Sequence, residues 1–191
     1  MNWIPKYNFI LASKSPRRQE LLKSLGIGFQ VKTKDVDENY PAELSPDQIP
    51  GYLAEKKAKA FSNELNNNDL LITADTIVVL NGKVLEKPED YDHAYEMLSA
   101  LSGKMHEVIT GVCLSSTKKS VVFSSLTNVQ FKQLTNTEID YYITHYKPFD
   151  KAGAYGIQEW IGAIGISHIE GSFYNVMGLP LQKLYEEIQK F

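Results

Sequence analysis

The sequence predicts an α/β fold built around a mixed β-sheet, and three observations support this prediction. Short apolar segments with the character of strands alternate with segments of helical periodicity along the whole chain. An Asn-Gly pair at 81–82, a strong hairpin signal, joins two strand-like segments and adds an antiparallel pair. The 191 residues, 43% of them hydrophobic, suffice to bury the core of a single domain spanning residues 1–191.

The start of the chain is predicted to form a strand, a loop, a helix and a second strand. Residues 8–12 are a short apolar run that predicts a buried strand. Pro16 suits the first position of a helix capped by Ser15, and leucines recur at helical spacing until Gly26 ends the pattern. Residues 27–32 then predict the second strand.

The rest of the chain repeats this alternation. Ser45-Pro46-Asp47 is a capping signature and predicts a helix that runs to Leu65. The elements predicted after it are a strand at 70–80 with its hairpin return at 83–85, a helix at 90–101, strands at 106–116 and 120–131, a helix at 135–145 capped by Thr135, short strands within the glycine-rich segment 153–171, and a closing helix at 179–190.

Composition and charge narrow the possible functions. The net charge is −3, so a sequence-blind grip on long nucleic acid, which needs a dense cationic surface, is not expected. Cys113 is the only cysteine, so no intrachain disulfide forms and a reducing compartment is predicted. The apolar run at 9–12 is too short for a signal peptide or a membrane span. We therefore expect a cytoplasmic protein with no stable nucleic-acid partner and no membrane partner.

The segment 11–26, LASKSPRRQELLKSLG, places two adjacent arginines where a helix begins. The unpaired N–H groups and the positive end of the helix dipole form an anion site at such a start. Ser13 and Ser15 add hydroxyl donors, and Arg17 and Arg18 add guanidinium groups suited to phosphate oxygens. Positive charge is unfavourable at a helix start unless an anion is bound, which favours phosphate binding. The alternative is a pair of solvated arginines balanced by a nearby carboxylate.

Lys57 lies on the side of the second predicted helix that is expected to pack inward. It follows Leu53 by four residues and precedes Ala60 by three, so the three side chains share one face. A buried lysine needs an anionic partner, and this position therefore supports phosphate binding. In the alternative, the side chain extends to the surface and its ammonium remains in water.

Asp75 interrupts a predicted strand that is otherwise rich in leucine, isoleucine and valine. Aspartate is depleted in strand interiors, so this carboxylate is paired, ligates a metal or lies at the mouth of the strand. It could hold Mg²⁺ or accept a proton from water, and the alternative is a structural aspartate that binds backbone groups. Asp35, Asp37 and Glu38 could supply a second metal-ligating carboxylate, although acidic loop residues are usually only solvated.

Three later features complete the set of candidates. Lys87 follows the hairpin and offers a second cation. In segment 150–158 two glycines permit close approach of the backbone, and Gln158 offers an amide that suits the edge of a base, whereas the alternative is that the glycines only form turns. His106 could act as a base, but a single histidine beside a strand is more often structural.

These segments, in this order, resemble the Maf family of nucleoside triphosphate pyrophosphatases. The resemblance spans nearly the whole chain, and so many ordered matches make it specific. The matching stretches are residues 11–18, 36–38, 53–58, 74–76, 86–88, 101–103, 150–158 and 178–180.

The resemblance implies a fold of the Maf and inosine triphosphatase kind, in which a twisted mixed sheet flanked by helices forms two lobes around a central cleft. It also implies a divalent metal cation, Mg²⁺ or Mn²⁺, and hydrolysis of a nucleoside triphosphate to the monophosphate and pyrophosphate. By position, Asp75 matches the proton acceptor, and Asp75 with Glu38 matches the acidic positions near the metal. The positions that match phosphate-contacting residues of the family are Ser13, Arg17, Lys57 and Lys87.

The branch of the family is indicated by three positions. Arg17, Thr76 and Gln158 match determinants of substrate choice in the branch that acts on dTTP and UTP, whereas a 7-methyl-GTP branch has Trp, Gln and Glu there. The resemblance implies a house-cleaning activity that limits incorporation of non-standard nucleotides, carried out by a homodimer. Two alternatives stay open: an enzyme for modified or non-pyrimidine triphosphates, and a nucleotide-sensing or nucleic-acid-binding regulator of cell division that needs no turnover.

Overall fold

The structure is a computed structural model of the chain, and it describes residues 6–191. Its strands are β1 (Asn8–Leu11), β2 (Phe29–Val31), β3 (Asp69–Leu80), β4 (Lys83–Leu85), β5 (Met105–Ser115), β6 (Ser120–Phe131) and β7 (Ile166–Glu170). Its α-helices are α1 (Pro16–Ser24), α2 (Ile49–Lys59), α3 (Tyr91–Leu101), α4 (Asn136–Tyr146), α5 (Trp160–Gly165), α6 (Phe173–Met177) and α7 (Leu181–Lys190).

The seven strands form one sheet in the order β2-β1-β3-β5-β6-β7, with β4 paired to β3. β1 pairs in parallel with both β2 and β3, whereas β3–β4 and β6–β7 are antiparallel. The predicted mixed sheet is therefore confirmed. The predicted hairpin is confirmed as well, because Asn81 and Gly82 join β3 to β4 with φ values of 51° and 77°, both in the left-handed region that such turns need.

The chain divides into two compact units. The first unit contains residues 1–75, 110–125 and 178–191, and the second contains residues 76–109 and 126–177. Strands β3, β5 and β6 contribute residues to both units. The prediction of a single domain over residues 1–191 stays a prediction.

In the first unit, α2 packs directly on the sheet. The packed side chains come from α2 and its end and from β1, β3 and β5, and they are Ala54, Ala58, Phe61, Ile10, Leu71 and Cys113. Gly111 of β5 permits this approach, since a Cβ at this position would lie 2.2 Å from the carbonyl carbon of Pro50 and 2.3 Å from the nitrogen of Gly51. The main chain of α2 thus touches the main chain of the sheet at its first turn.

The second unit has its own core, in which helices α3 and α4 cover apolar side chains of β3, β5 and β6. His106 is part of this core and is 2% exposed. Its Nε2 lies 2.7 Å from the Tyr155 hydroxyl, and its ring stacks on Phe131 at 5.5 Å. Burial lowers the pKa of His106 from 6.5 to about 4, so the imidazole is neutral at physiological pH. His106 is a structural residue, in agreement with the commoner of the two interpretations.

Several helix boundaries agree with the sequence. Ser15 caps α1 by accepting from the Arg18 N–H, and Gly26 beyond its end has a φ of 72°. Asp90 caps α3, and Thr135 caps α4 in a reciprocal capping box with Glu138. These agreements follow from local chemistry, because a cap needs only the residue that lies next to the helix end.

Three local predictions were wrong. The second helix begins at Ile49 rather than at Ser45, because residues 45–48 close a turn in which the Gln48 N–H donates to the Ser45 carbonyl at 2.9 Å. It ends at Lys59, and a 3₁₀ turn follows over Ser62–Glu64. The glycine-rich segment contains a 3₁₀ turn over Ala152–Ala154, helix α5 and only one strand, β7. Helix α6 was not predicted, since five residues are too few for a periodic pattern.

None of the helices in residues 6–191 combines the length and the apolar character needed to cross a bilayer.

Candidate active site

The loop before α1 and the first turn of the helix form the first part of the site. The Ser13 hydroxyl oxygen accepts from the Ser15 N–H at 3.2 Å, and the Ser13 carbonyl accepts from the Gln19 side chain at 3.3 Å. Ser13 is buried, so the loop is fixed at both ends of this residue. The accepted bond uses only an oxygen lone pair, and the Ser13 O–H keeps its capacity to donate to a phosphate oxygen.

The two arginines at this helix start differ in role. Arg18 donates from Nη1 to the Ala74 carbonyl at 2.9 Å and from Nε to the Gly178 carbonyl at 2.8 Å. Its guanidinium therefore supports the backbone next to Asp75, and the prediction that Arg18 offers a fork to phosphate is corrected. Consecutive residues of an α-helix point about 100° apart, so Arg17 and Arg18 cannot face the same ligand equally.

The charged groups of the candidate site affect the pKa of Arg18. Burial lowers its pKa from the ordinary value, the Asp75 carboxylate opposes this effect, and Arg17 lowers the pKa further, while Glu38 raises it. Arg17, Asp75 and Glu38 thus all act on Arg18 within the first unit. Arg17 is the arginine of the pair that stays a candidate for phosphate.

Lys57 of α2 joins the two candidate carboxylates. Its Nζ lies 2.6 Å from Oδ1 of Asp75 and 2.7 Å from Oε1 of Glu38. The Lys57 side chain is 17% exposed and that of Asp75 is 12% exposed, whereas that of Glu38 is 51% exposed. The alternative in which Lys57 extends to the surface is therefore wrong. The anionic partners of the inward-facing ammonium are Asp75 and Glu38.

A single buried bond sets the position of Lys57 relative to Asp75. The Thr73 hydroxyl donates to the Ala54 carbonyl at 2.6 Å, which joins β3 to α2. Asp75 follows Thr73 by two residues and projects from the same face of the strand, while Lys57 follows Ala54 by three residues in the helix. The bond between Thr73 and Ala54 therefore aligns β3 with α2 so that the Asp75 carboxylate and the Lys57 ammonium lie next to each other.

The segment between β2 and α2 carries Glu38 to this cluster although it has no regular structure. Asp35 pairs with Lys14 at 2.6 Å and Asp37 pairs with Lys56 at 3.2 Å. A hydrogen bond from Lys14 lowers the pKa of Asp35, and a backbone hydrogen bond from Asn39 lowers that of Asp37. Asp35, Asp37 and Glu38 thus each pair with a different lysine, and of these three only Glu38 contacts Lys57.

The oxygen donors of this cluster fit a hard divalent cation. Oδ1 of Asp75 and Oε1 of Glu38 converge on one positive group, and Mg²⁺ is commonly held by one or two carboxylates together with substrate phosphates. Within residues 6–191, no group of three or more His, Cys, Asp or Glu side chains is arranged to hold a metal ion. A cation at Asp75 and Glu38 would complete its coordination with water and with oxygens of the substrate.

In the second unit, Lys87 and Gln158 lie on segments that contact each other. Lys87 is exposed just beyond β4, and the carbonyl of the preceding residue, Glu86, accepts from the Gly153 N–H at 3.1 Å. The segment of Lys87 is thereby joined to the 3₁₀ turn that precedes the Gln158 loop. Thr76 is the partly buried residue that follows Asp75 in β3.

The loop that carries Gln158 is held in shape by a polar network. The Gly156 N–H donates to the Tyr142 hydroxyl at 3.0 Å, and this hydroxyl donates in turn to Glu159. Lys151, which is 8% exposed, pairs with Glu159 at 3.2 Å. Gln158 itself is exposed at the surface of this loop, so its amide is available on a fixed backbone. The glycines form turns, as the alternative interpretation required, and these turns present Gln158.

The structure thus brings together, in the first unit, the Lys57 ammonium and the carboxylates of Asp75 and Glu38, with Arg17 in the same electrostatic field. The bracing role of Arg18 was missed. A signal for it is present in the sequence, because Arg18 precedes the buried Leu21 and Leu22 by three and four residues and so projects from the inward side of α1.

The site thus combines an ammonium with hard carboxylate oxygens on an α/β sheet. The sequence model of the family described as "Maf-like protein" matches residues 8–191. The chain belongs to this family.

Curated relatives cover almost all of the chain. A protein of Bacteroides thetaiotaomicron is 55% identical over 188 residues, which are 98% of this chain and 97% of the relative. A protein of Porphyromonas gingivalis is 50% identical over 191 residues, covering 98% and 96% of the two chains. Both relatives are named dTTP/UTP pyrophosphatase. Among solved structures, the Ham1 protein of Staphylococcus aureus matches 65% of this chain and 71% of its own, with a TM-score of 0.49 and 15% identity.

Proposed function

We propose that the chain is a nucleoside triphosphate pyrophosphatase that hydrolyses dTTP and UTP to the nucleoside monophosphate and pyrophosphate. The observation that carries the proposal is the shared contact of Lys57 with Asp75 and Glu38, since this cluster contains both a cation for phosphate oxygens and a carboxylate that can accept a proton. Relatives that are 50% and 55% identical over nearly the whole chain bear the same activity in their names, which supports the substrate assignment.

The chemistry starts from water at the innermost phosphorus of the triphosphate. Asp75 accepts a proton from the water, whose oxygen forms a bond to the α-phosphorus while the bond to the bridging oxygen of the pyrophosphate breaks. Arg17, Lys57 and Lys87 stabilise the negative charge that grows on the phosphate oxygens, and Ser13 donates a hydrogen bond to them. Most of the rate acceleration is electrostatic in this scheme.

Asp75 and Glu38 would hold the divalent cation, Mg²⁺ or Mn²⁺, together with oxygens of the substrate. Such an ion supplies Lewis-acid neutralisation of the phosphate charge. The partial burial of Asp75 favours this role, because water competes weakly for a carboxylate that is 12% exposed.

Substrate choice is assigned to Arg17, Thr76 and Gln158. The rigid backbone around Gln158 supports a role in reading a pyrimidine edge, because an amide on a fixed loop offers its donor and acceptor in one orientation. The substrate class extends to modified pyrimidine nucleotides, which makes the activity a house-cleaning one. The cytoplasmic location and the homodimer stay predictions.

The test is the variant Asp75→Asn, which keeps the shape of the side chain and removes the proton acceptor. Purified protein is incubated with a panel of nucleoside triphosphates and Mn²⁺, and released pyrophosphate is measured. We expect turnover of dTTP and UTP by the wild type and a loss of about a hundredfold or more in Asp75→Asn. Asp92→Asn is the matched control, since Asp92 is exposed in the first turn of α3 and belongs to no part of the cluster.

Two results would contradict the proposal. Wild-type turnover in Asp75→Asn would remove Asp75 from the chemistry, whereas nucleotide binding without pyrophosphate release in the wild type would favour the regulator. A panel in which purine or modified triphosphates are hydrolysed and dTTP and UTP are not would overturn the substrate class alone.

A further inference from the structure

The Lys57 ammonium occupies the position at which the two candidate metal ligands meet. It contacts one oxygen of Asp75 at 2.6 Å and one oxygen of Glu38 at 2.7 Å, and these two contacts join side chains from β3 and from an irregular segment. The group between the carboxylates is thus a monovalent cation that belongs to the chain itself. It reduces the charge of the carboxylate pair from two negative charges to one.

We propose that Lys57 is a resident counter-ion that keeps a divalent cation out of the site until a triphosphate arrives. The inference rests on the proposed function and adds a rule to it: metal and nucleotide enter together, and the metal alone binds weakly. Lys57 therefore has two successive partners, the two carboxylates in the free protein and phosphate oxygens in the complex.

The contacts explain why metal alone is disfavoured. A divalent ion needs its carboxylate oxygens at about 2.0–2.1 Å for Mg²⁺, and one oxygen of each carboxylate is already held by the ammonium. The ion must either displace Lys57 or bind beside it, where like charges repel at short range in a partly buried site. A displaced ammonium loses two charge-assisted hydrogen bonds, and the free protein supplies no new anion in return.

A triphosphate removes this obstacle because it offers Lys57 new partners. Lysine carries its charge on a flexible four-carbon stem, so the ammonium can turn from the carboxylates to a phosphate oxygen while the helix stays in place. The helix is fixed near this residue by the bond from Thr73 to Ala54 at 2.6 Å. The exchange keeps every charged group paired, since the metal takes the carboxylates that Lys57 leaves.

The experiment measures binding of Mn²⁺ alone, in the absence of nucleotide, by electron paramagnetic resonance of the free ion. The variants are Lys57→Met, which retains most of the stem without the charge, and Lys59→Met, an exposed lysine of the same helix that pairs with Glu55 at 3.1 Å. We expect Lys57→Met to bind Mn²⁺ about tenfold or more tightly than the wild type, because the carboxylate pair then carries two uncompensated charges. Lys59→Met should match the wild type.

A second substitution locates the gain. In the double variant Lys57→Met/Glu38→Gln, the additional Mn²⁺ affinity should disappear, because one of the two ligands is lost. If Lys57→Met is unfolded by circular dichroism, Lys57→Ala replaces it, since alanine is the residue most favourable to a helix.

The inference is overturned if Lys57→Met binds Mn²⁺ no more tightly than the wild type, or if Lys59→Met gains as much affinity as Lys57→Met. A gain that persists in the double variant also overturns it, since the ion would then bind elsewhere. These outcomes are independent of catalysis. A wild type that hydrolyses no nucleotide would defeat the proposed function while leaving the titration interpretable, because the titration contains no nucleotide.

Discussion

Gly111→Ala tests whether the contact between the sheet and α2 controls the site. The added Cβ would lie 2.2 Å from the carbonyl carbon of Pro50, 2.3 Å from the nitrogen of Gly51 and 2.4 Å from the Pro50 oxygen. All three are main-chain atoms, so no side chain can rotate away. Since real Cβ contacts essentially never fall below 3.0 Å, the first turn of α2 must move by at least about 0.8 Å, the difference between 3.0 Å and 2.2 Å.

This displacement has a cost in stability and a larger cost in activity. Overpacking of a well-packed site costs about 1–3 kcal/mol, and in a domain of this length each kcal/mol lowers the melting temperature by about 2–4 °C. Lys57 lies on the same helix and contacts Asp75 at 2.6 Å. A misplacement of about 1 Å can reduce a rate a hundredfold, so we expect turnover to fall by about that factor in molecules that remain folded.

The assay combines thermal melting with pyrophosphate release at a temperature well below both transitions. Gly28→Ala is the matched control, because a Cβ at Gly28 meets nothing within 4 Å and its backbone needs no left-handed conformation. That control should melt and turn over like the wild type, or melt slightly higher because alanine restricts the unfolded chain. A Gly111→Ala protein with wild-type stability and turnover would refute the argument that α2 rests directly on β5.

Two further predictions concern groups outside the reacting atoms. Thr73→Val removes the buried hydrogen bond to Ala54 without changing the size of the side chain, so the free energy of unfolding in urea should fall by about 1 kcal/mol. The exposed control Thr117→Val should show no loss, and equal losses in the two variants would contradict the reasoning. The pKa of His106 is about 4 in the folded protein, against an ordinary value of 6.5, so its contribution to stability is full above pH 6.5 and is lost as the pH falls toward 4. Between pH 8 and pH 5, the free energy of unfolding of the wild type should therefore fall by about 2 kcal/mol more than that of His106→Gln. Equal losses would show that His106 is not held neutral.

Element boundaries could be predicted from the sequence wherever a local signal decides them. The caps at Ser15 and Thr135 and the turn at Asn81-Gly82 were all found, because each depends on residues that are adjacent in the chain. The start of α2 was missed because the local signal at Ser45 is misleading. Ser45 resembles a cap, but its main chain is used in a turn with Gln48, and only the tertiary position of Pro50 against Gly111 shows where the helix begins.

The candidate site was predictable as a set of residues and unpredictable as a set of contacts. Lys57 was placed on the inner face of its helix by periodicity, and Asp75 was identified because a carboxylate is unusual inside an apolar strand. Their contact depends on the alignment of α2 along β3, which the buried bond from Thr73 fixes. No local pattern encodes this alignment. Glu38 was harder still, since a long irregular segment offers no periodicity that could indicate which of its carboxylates contacts Lys57.

The ion pairs of that irregular segment explain how it can carry a functional carboxylate at all. Exposed pairs such as Lys14 with Asp35 and Lys56 with Asp37 contribute little to global stability, but each restricts the path of the chain near Glu38. In the proposed exchange, Lys57 passes from the carboxylates to a phosphate oxygen and Glu38 accepts a new partner. The buried bond from Thr73 to Ala54 fixes the helix, so the exchange involves the side chains of Lys57 and Glu38 and leaves α2 in place.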